Sequence, residues 1–458
     1  MKYQLQYCLA LVLCMLLGSC KKFVEVPGPS TQVSASEVFS TDASAVASAL
    51  AIYSQMETDG LPYLMIIHPG RSADEMFNYS PATADIEFYN NNLTGGNSQV
   101  KSLWQYYYKY IYQANAQLEG LSSSTQLSPS VQKQLQGEAY FIRAFCNFYL
   151  VNLFGGVPLV NSNSYEASAV QARNTVSECY GQIKDDLSKA VNLLSTDYLA
   201  VNNTVTPERT RPNQFAARAL LARVYLYTGE WTKAETEASA VIANSQYTLL
   251  SDLNSVFLKN SREAIWQLQS QVPGYNTYPG AFLILTSTPT TAAIDSNFVN
   301  AMAAGDLRRS NWVKSITFSG KLYYYPFKYK VKQNASTITE YTMALRLSEQ
   351  FLLRAEARAS QNNAVGALAD LNAIRSRAGL SSLVNLSVQS LLDSIAQERK
   401  WELLAEFGDR WINLNRTGTA GVVLTPIKGT NWTGTDVLYP IPLSEINLNG
   451  NLKQNPGY

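Results

Sequence analysis

A single histidine, His68, and five cysteines leave little for transition-metal chemistry in a chain of 458 residues. A structural zinc site needs four His or Cys ligands at close spacing, and no cysteine pair here has it. No metal site and no cofactor are expected, although a Ca²⁺ held by loop carbonyls would leave no mark in a sequence. The Gly-x-Ser-x-Gly elbow and phosphate-cradling Gly loops are absent as well. Charge of one sign is missing too: 36 basic residues face 35 acidic ones, for a net charge of +1. That balance provides no basic field for a nucleic-acid backbone, so no nucleic-acid partner is expected. Past residue 19 no apolar run approaches the ~18 residues of a membrane span. What the chain does have is aromatic surface, with 28 Tyr, 7 Trp and 16 Phe. A tyrosine joins a flat apolar face to a polar tip, which suits surfaces that hold polar ligands.

The first twenty residues read MKYQLQYCLALVLCMLLGSC. Lys2 precedes an unbroken apolar run, Leu9 to Leu17, about half the ~20 residues needed to cross a bilayer but right for a signal-peptide core. Leu17-Gly18-Ser19-Cys20 follows, with small residues before a cysteine whose sulfur can accept a lipid. This is the pattern of a bacterial lipobox, and Cys20 is the expected lipidation site. Residues 1–19 are then a lipoprotein signal peptide and 20–36 a lipidated tether, Pro- and Gly-containing and without helical period. Cys146 and Cys179 remain in the mature chain; their apolar surroundings favour buried free thiols, and spacing alone leaves a disulfide open.

Periodicity predicts a mainly α fold. Lys101–Leu121 carries Leu103, Tyr107, Ile111 and Leu118 on one face. Ser128-Pro129 is an N-cap followed by proline, opening a helix over Val131–Phe154 that is apolar nearly all round and stops at Gly155-Gly156. Thr175-x-x-Glu178 and Thr232-x-x-Glu235 match capping boxes. Sliding Leu220 onto Leu353 also brings Ala222 onto Ala355, Ala234 onto Ala367, Val241 onto Ile374 and the turn residue Gly229 onto Asn362. Small residues where helices cross, with a left-handed turn residue between, describe a tetratricopeptide-like hairpin that must stack on others to bury its faces. The expected fold is a helix-hairpin scaffold with long irregular loops and a few short strands. Two regions follow the tether, 37–244 and 245–458, packed as one unit. Asp59–Gln99 and Ser245–Tyr341 lack helical period and read as long loops, with short strand or loop at Lys321–Val331.

Several separated motifs resemble one family. Gly137-Glu-Ala-Tyr-Phe-Ile-Arg143 through Phe154-Gly-Gly-Val-Pro-Leu159 is similar to the signature helix and turn of SusD/RagB-type proteins. Arg346-Leu-Ser-Glu349, Leu371-Asn-Ala-Ile-Arg375, Glu398-Arg399-x-x-Glu402, Gly408-Asp-Arg-Trp411 and the ending Tyr439-Pro-Ile-Pro442 to Gln454-Asn-Pro-Gly-Tyr458 follow in that family's order. The resemblance implies a surface lipoprotein anchored in the outer membrane of a Gram-negative cell. It would be seated on a SusC-type TonB-dependent transporter and would bind a glycan, or in some members a peptide or another nutrient.

An aromatic ring can cover the C–H face of a sugar while amides, carboxylates and guanidinium groups meet its hydroxyls. Loop residues of those types are therefore the ligand candidates: Arg71, Asp74, Tyr89, Asn91, Tyr275, Tyr278 and Trp312, the last also readable as a buried strand residue. Arg143, Glu349 and Arg399 read as scaffold residues, and His68 as a packing or surface residue in a loop. Glu398, Glu402 and Glu406, spaced along one helix face, are the nearest approach to a carboxylate pair. A glycosidase pair flanks its bond, so this row reads as an ion-pair network with arginines, and no catalytic residue is expected. The alternatives are a peptide binder on the same scaffold, a surface hydrolase, or an adaptor that only docks proteins.

Overall fold

The computed structural model describes residues 35–333 and 336–458. The expected signal peptide, Cys20 and most of the tether lie outside these residues. Helices α1 (Asp42–Thr58) and α2 (Leu61–Ser72) are joined by Gly60, which turns the chain at φ 72°. Helix α3 (Thr83–Asn90) follows. The expectation of a long loop over Asp59–Gln99 is thus corrected. Pro62 sits in the first turn of α2, where it lacks only an N–H that the helix leaves unpaired anyway, and Pro69 falls three residues before the end. His68 is accordingly helical and buried, stacked on Phe88 at 4.5 Å.

Two long helices come next, α4 (Ser98–Ser123) and α5 (Pro129–Phe154). Ser128 has N-cap backbone angles, but its hydroxyl donates to Asp42 of α1 at 2.6 Å rather than capping α5. Helix α5 is buried along almost its whole circumference, as its composition requires. The Gly-Gly-Val-Pro turn after it has a steric reason. A Cβ at Gly156 would overlap the carbonyl of Asn174, which passes directly over the turn. The last carbonyls of α5 have no partners within the helix. Tyr439 N–H meets Leu153, while Arg173 and the Asn455 amide both meet Phe154. The closing segment of the chain therefore caps its central helix.

Helix α6 (Val176–Leu193) begins with the expected capping box, Thr175 and Glu178 exchanging bonds. Two matching hairpins follow: α7 (Gln214–Tyr227) with α8 (Trp231–Ile242), and α9 (Leu347–Ser360) with α10 (Ala364–Arg377). All eight apolar residues that the sequence superposed are fully buried, and the turn pair Gly229 and Asn362 hold φ of 74° and 63°. Helix α8 packs directly on α9, so the hairpins stack as neighbours although residues 243–346 separate them in the chain. Thr232-x-x-Glu235 is not a cap. Helix α8 starts one residue earlier, and both side chains reach across to α9, Thr232 to Gln361 and Glu235 to Arg358. Helices α11 (Val388–Glu402) and α12 (Asp409–Arg416) complete the stack. Cys146 and Cys179 are both buried free thiols.

Among the described residues six short strands supplement the helices: β1 (Met76–Asn78), β2 (Ala264–Leu268), β3 (Ala292–Ile294), β4 (Val313–Phe318), β5 (Lys321–Pro326) and β6 (Thr342–Arg346). Strands β2 and β6 pair antiparallel where the chain leaves and re-enters the stack. Both are fully buried, with Trp266 wedged edge-on between Phe141 and Phe145 of α5. The other four form an antiparallel sheet in the order β1-β3-β5-β4. Ser319-Gly320 turns β4 into β5 with φ of 48° and 76°, the left-handed pair that a two-residue hairpin favours. Strand β1 comes from the N-terminal region and β3 to β5 from the long insertion. The two regions read as loops meet in this one sheet.

Candidate functional site

The sheet and the short helix Tyr278–Leu283 carry two clusters of rings, partly exposed except for Tyr323, which is buried. On β1 and the segment after it, Phe77 contacts Tyr79 and Tyr89 with centroids 5.0 and 5.2 Å apart. Tyr79 meets Tyr323 of β5 edge-on at 5.5 Å, and Lys321 lies over both of those rings. Lys428 lies 4.3 Å from the Tyr89 ring and donates to the Tyr89 carbonyl, so it both ends α3 and supports the ring. Burial draws the Lys428 ammonium down to about 8.

The second cluster lies on helix Tyr278–Leu283. Phe282, 43% exposed, touches Tyr275, Tyr278 and Tyr63 with centroids 5.4 to 5.9 Å apart. Thr277 caps this helix at Gly280, where a Cβ would overlap the Val331 carbonyl. Tyr278 is fastened at both ends, its N–H to Glu57 and its hydroxyl to the Thr58 carbonyl. Glu57 is buried, and desolvation pushes its carboxyl up to about 7 even though Tyr278 and Thr342 donate to it.

Residues 284–291 run from the second cluster into β3, which pairs with β1 of the first. This connection holds exposed Thr286, Ser287 and Thr290. Its last carbonyl, Thr291, accepts from Tyr79 N–H, Ser80 N–H and the Arg71 guanidinium. Ring faces with hydroxyls between them can hold a ligand that has apolar faces and a hydroxyl rim.

Of the sequence candidates, Tyr89, Tyr275 and Tyr278 stand in these clusters. The other four have structural work. Arg71 is buried and ion-paired with Asp85. Asp74 pairs with Arg410 and Lys400; burial opposes its charge, but the two cations prevail and hold its carboxyl at about 2. Asn91 takes the left-handed C-cap of α3, its amide donating to the Ser72 carbonyl. Trp312 is fully buried at a helix end, its indole N–H on the Leu253 carbonyl, with no face for a ligand. Phe77, Tyr79, Phe282 and Tyr323 were not singled out from sequence. The Lys321-Leu-Tyr-Tyr-Tyr run, read as a short strand, offered a signal for Tyr323 alone, since successive side chains of a strand point to opposite faces.

The three glutamates sit in a buried ion network. Glu398 pairs with Arg308 and Arg375, Glu402 with Arg308, Arg346 and Arg377, and Glu406 with Lys328 and Arg346. They do not share one helix face throughout, because α11 ends at Glu402. Ala405, Phe407 and Gly408 then take φ of 55°, 41° and 71°, a turn tied down by Glu75 on the Ala405 N–H. Glu402 has no exposure and three arginine partners that keep it ionised, an arrangement with no room for a sugar. Glu349 joins Arg223 to Arg399, and Arg143 makes a two-pronged pair with Asp186, so these motif residues hold helices together. Among the described residues no group of three or more His, Cys, Asp or Glu is placed to hold a metal ion.

Residues 22–226 match the family described as "Starch-binding associating with outer membrane", and residues 290–458 match the SusD family. The chain belongs to the SusD/RagB family. A SusD-like protein of Formosa agariphila is 24% identical over 97% of this chain and 96% of its own. A solved SusD superfamily protein of Bacteroides vulgatus superposes with a TM-score of 0.79 at 20% identity, covering 91% of this chain and 99% of that one. A solved laminarin-binding SusD-like protein gives 0.76 at 22% identity, covering 90% and 99%. This SusD-type fold is the mainly helical, tetratricopeptide-like scaffold described above. The family consists of carbohydrate-binding proteins associated with the outer membrane. Among the described residues no helix is long and apolar enough to cross a membrane. The two matched stretches leave out 227–289, the part that holds Tyr275, Tyr278 and Phe282.

Proposed function

We propose that this SusD-type protein captures a glycan at the cell surface with its two ring clusters and hands it, unaltered, to a SusC-like TonB-dependent transporter. The observation that carries this reading is the pair of partly exposed aromatic clusters joined by a hydroxyl-bearing segment. Rings stack on the C–H faces of successive sugar units, and Thr286, Ser287, Thr290 and the tyrosine hydroxyls meet the rim. Two clusters linked by residues 284–291 suit a chain of several units better than a single sugar. The laminarin-binding relative and the starch-binding family description support a carbohydrate ligand. The ion network that absorbs Glu398, Glu402 and Glu406 supports capture without hydrolysis. The lipobox at Cys20 supports anchoring in the outer membrane, with the tether holding the scaffold beside its transporter.

Titration calorimetry against a panel of α- and β-glucans and acidic polysaccharides tests the capture step. Binding to at least one, weakened by Phe77→Ala and by Phe282→Ala, is expected; heat from none of them overturns the glycan reading. Metabolic labelling with a fatty-acid analogue tests the anchor, and label persisting in Cys20→Ser removes it. Co-purification from membranes tests the hand-over, and a protein that elutes with no β-barrel partner overturns it.

A further inference from the structure

A cleft of about 780 Å³ lies between α1 and α4 and shares no lining residue with either ring cluster. Its volume falls in the ~300–1,000 Å³ range of small-molecule sites. Phe39 and Ile52 give it apolar walls, and Tyr112, more than half exposed, stands at its edge. A Cβ at Gly120 would overlap the Phe39 ring, so the glycine lets that ring lie against α4. Gln113 and Gln117 are neighbours on α4 at i and i+4, and both line the cleft. Their amide nitrogens are already committed, Gln113 to Gln55 at 2.7 Å and Gln117 to Ser48 at 2.6 Å. Their amide oxygens are buried and have no hydrogen-bond partner among the described residues, and Gln117 is only 4% exposed. A buried unpaired acceptor is costly, and fixing each NH₂ on a partner leaves only the oxygen to offer. Glu119 is the one charged residue among the described lining, and its carboxylate accepts from the Asn163 N–H.

We propose that this cleft is a second binding site for a neutral solute that donates hydroxyl hydrogens, namely a short segment of glycan. The name of the ligand rests on the reading given under Proposed function; the site itself rests on the cleft and its two neighbouring, unpartnered acceptors. Two hydroxyls of one or two sugar units meet Gln113 and Gln117 while the C–H faces lie on Phe39 and Tyr112. Lack of basic groups sets the site against anionic glycans.

Calorimetry with maltohexaose and laminarihexaose separates the two sites. The wild-type chain is expected to show two classes of site for one of these probes. Ala51→Trp, a change at an exposed position of the lining, should remove one class and leave the other. Gln117→Leu should weaken that same class about tenfold, the loss of one hydrogen bond. Phe282→Ala should weaken only the remaining class. A single class, lost with Phe282→Ala and untouched by Ala51→Trp, overturns the cleft and leaves the ring reading in place. A single class in the wild-type chain that is unchanged by Phe77→Ala and by Phe282→Ala but disappears with Ala51→Trp overturns the ring reading and supports the cleft. No heat from either probe overturns the cleft as a glucan site. A fall of several degrees in the melting temperature of ligand-free Ala51→Trp would mean that the chain itself fills the cleft, which also overturns the proposal.

Discussion

In the helical stack Glu402 is sealed among Arg308, Arg346 and Arg377, while on the inserted face the exposed Lys321 lies over the partly exposed Tyr79 and the buried Tyr323. Both are charged groups beside aromatic or cationic neighbours, yet they do opposite work. In the stack, charge is withdrawn from water and spent on joining helices that are distant in sequence, as Arg223 and Glu349 are. On the inserted face the rings stay partly wet, and hydroxyls and a lysine keep them company. A carboxylate already shared by three guanidinium groups, as Glu402 is, has little left to offer a ligand. A region with open ring faces contributes less to stability and more to binding.

The sharpest way to break this comparison is to remove one buried charge. Glu402→Gln leaves three guanidinium groups short of a counter-charge and should cost about 3–5 kcal/mol in urea unfolding. A loss below about 1 kcal/mol would show that water reaches the network.

Glu57, at the seam between the regions, should behave in the reverse sense. Its carboxyl is raised from 4.5 to about 7 by burial. Below pH 4.5 folded and unfolded chains are both protonated there, and burial carries no ionisation cost. Between 4.5 and about 7 the unfolded chain releases the proton and the folded chain keeps it, so this contribution falls as pH rises and levels off above 7. Glu57→Gln should therefore gain about 2–3 kcal/mol over wild type at pH 8 and little at pH 4. Denaturation at both pH values measures it; an equal effect at the two would contradict the assignment.

On the inserted face, Phe282→Ala should lower glycan affinity about tenfold, or about 1.4 kcal/mol, while changing stability by less than about 1 kcal/mol. A large stability loss with unchanged affinity would move Phe282 to the packing side of the comparison. The smallest effects contrast two threonines. Thr175→Ala breaks a capping box and should cost about 1 kcal/mol. Thr232→Ala removes only a surface bond to Gln361 and should cost about 0.5 kcal/mol or less. Equal losses on thermal melting would mean that Thr232 also caps.

The helices of the stack were legible because their apolar residues recur at helical spacing, and Gly229 and Asn362 marked matching turns. Helices α2 and α3 were missed because Asp59–Gln99 shows no clear helical period, although Pro62 fits the first turn of a helix. Of the ligand candidates, the three tyrosines reached the exposed clusters. Arg71, Asp74 and Trp312 went to ion pairs and packing and Asn91 to a helix cap, since a charged, amide or aromatic side chain in an apparent loop serves either end and composition does not distinguish them. The second cleft was illegible, because only the approach of α1 to α4 leaves Gln113 and Gln117 without partners for their oxygens.

From sequence alone the protein was bound to be a mainly helical chain of nearly balanced charge with stacked hairpins, because periodicity, turn residues and composition act over a few residues at a time. Tertiary structure alone decided that Phe282 opens to solvent while Trp312 closes against the core, and that Glu402 meets three arginines. Burial and pairing depend on which distant segments come together, and no local pattern records that meeting.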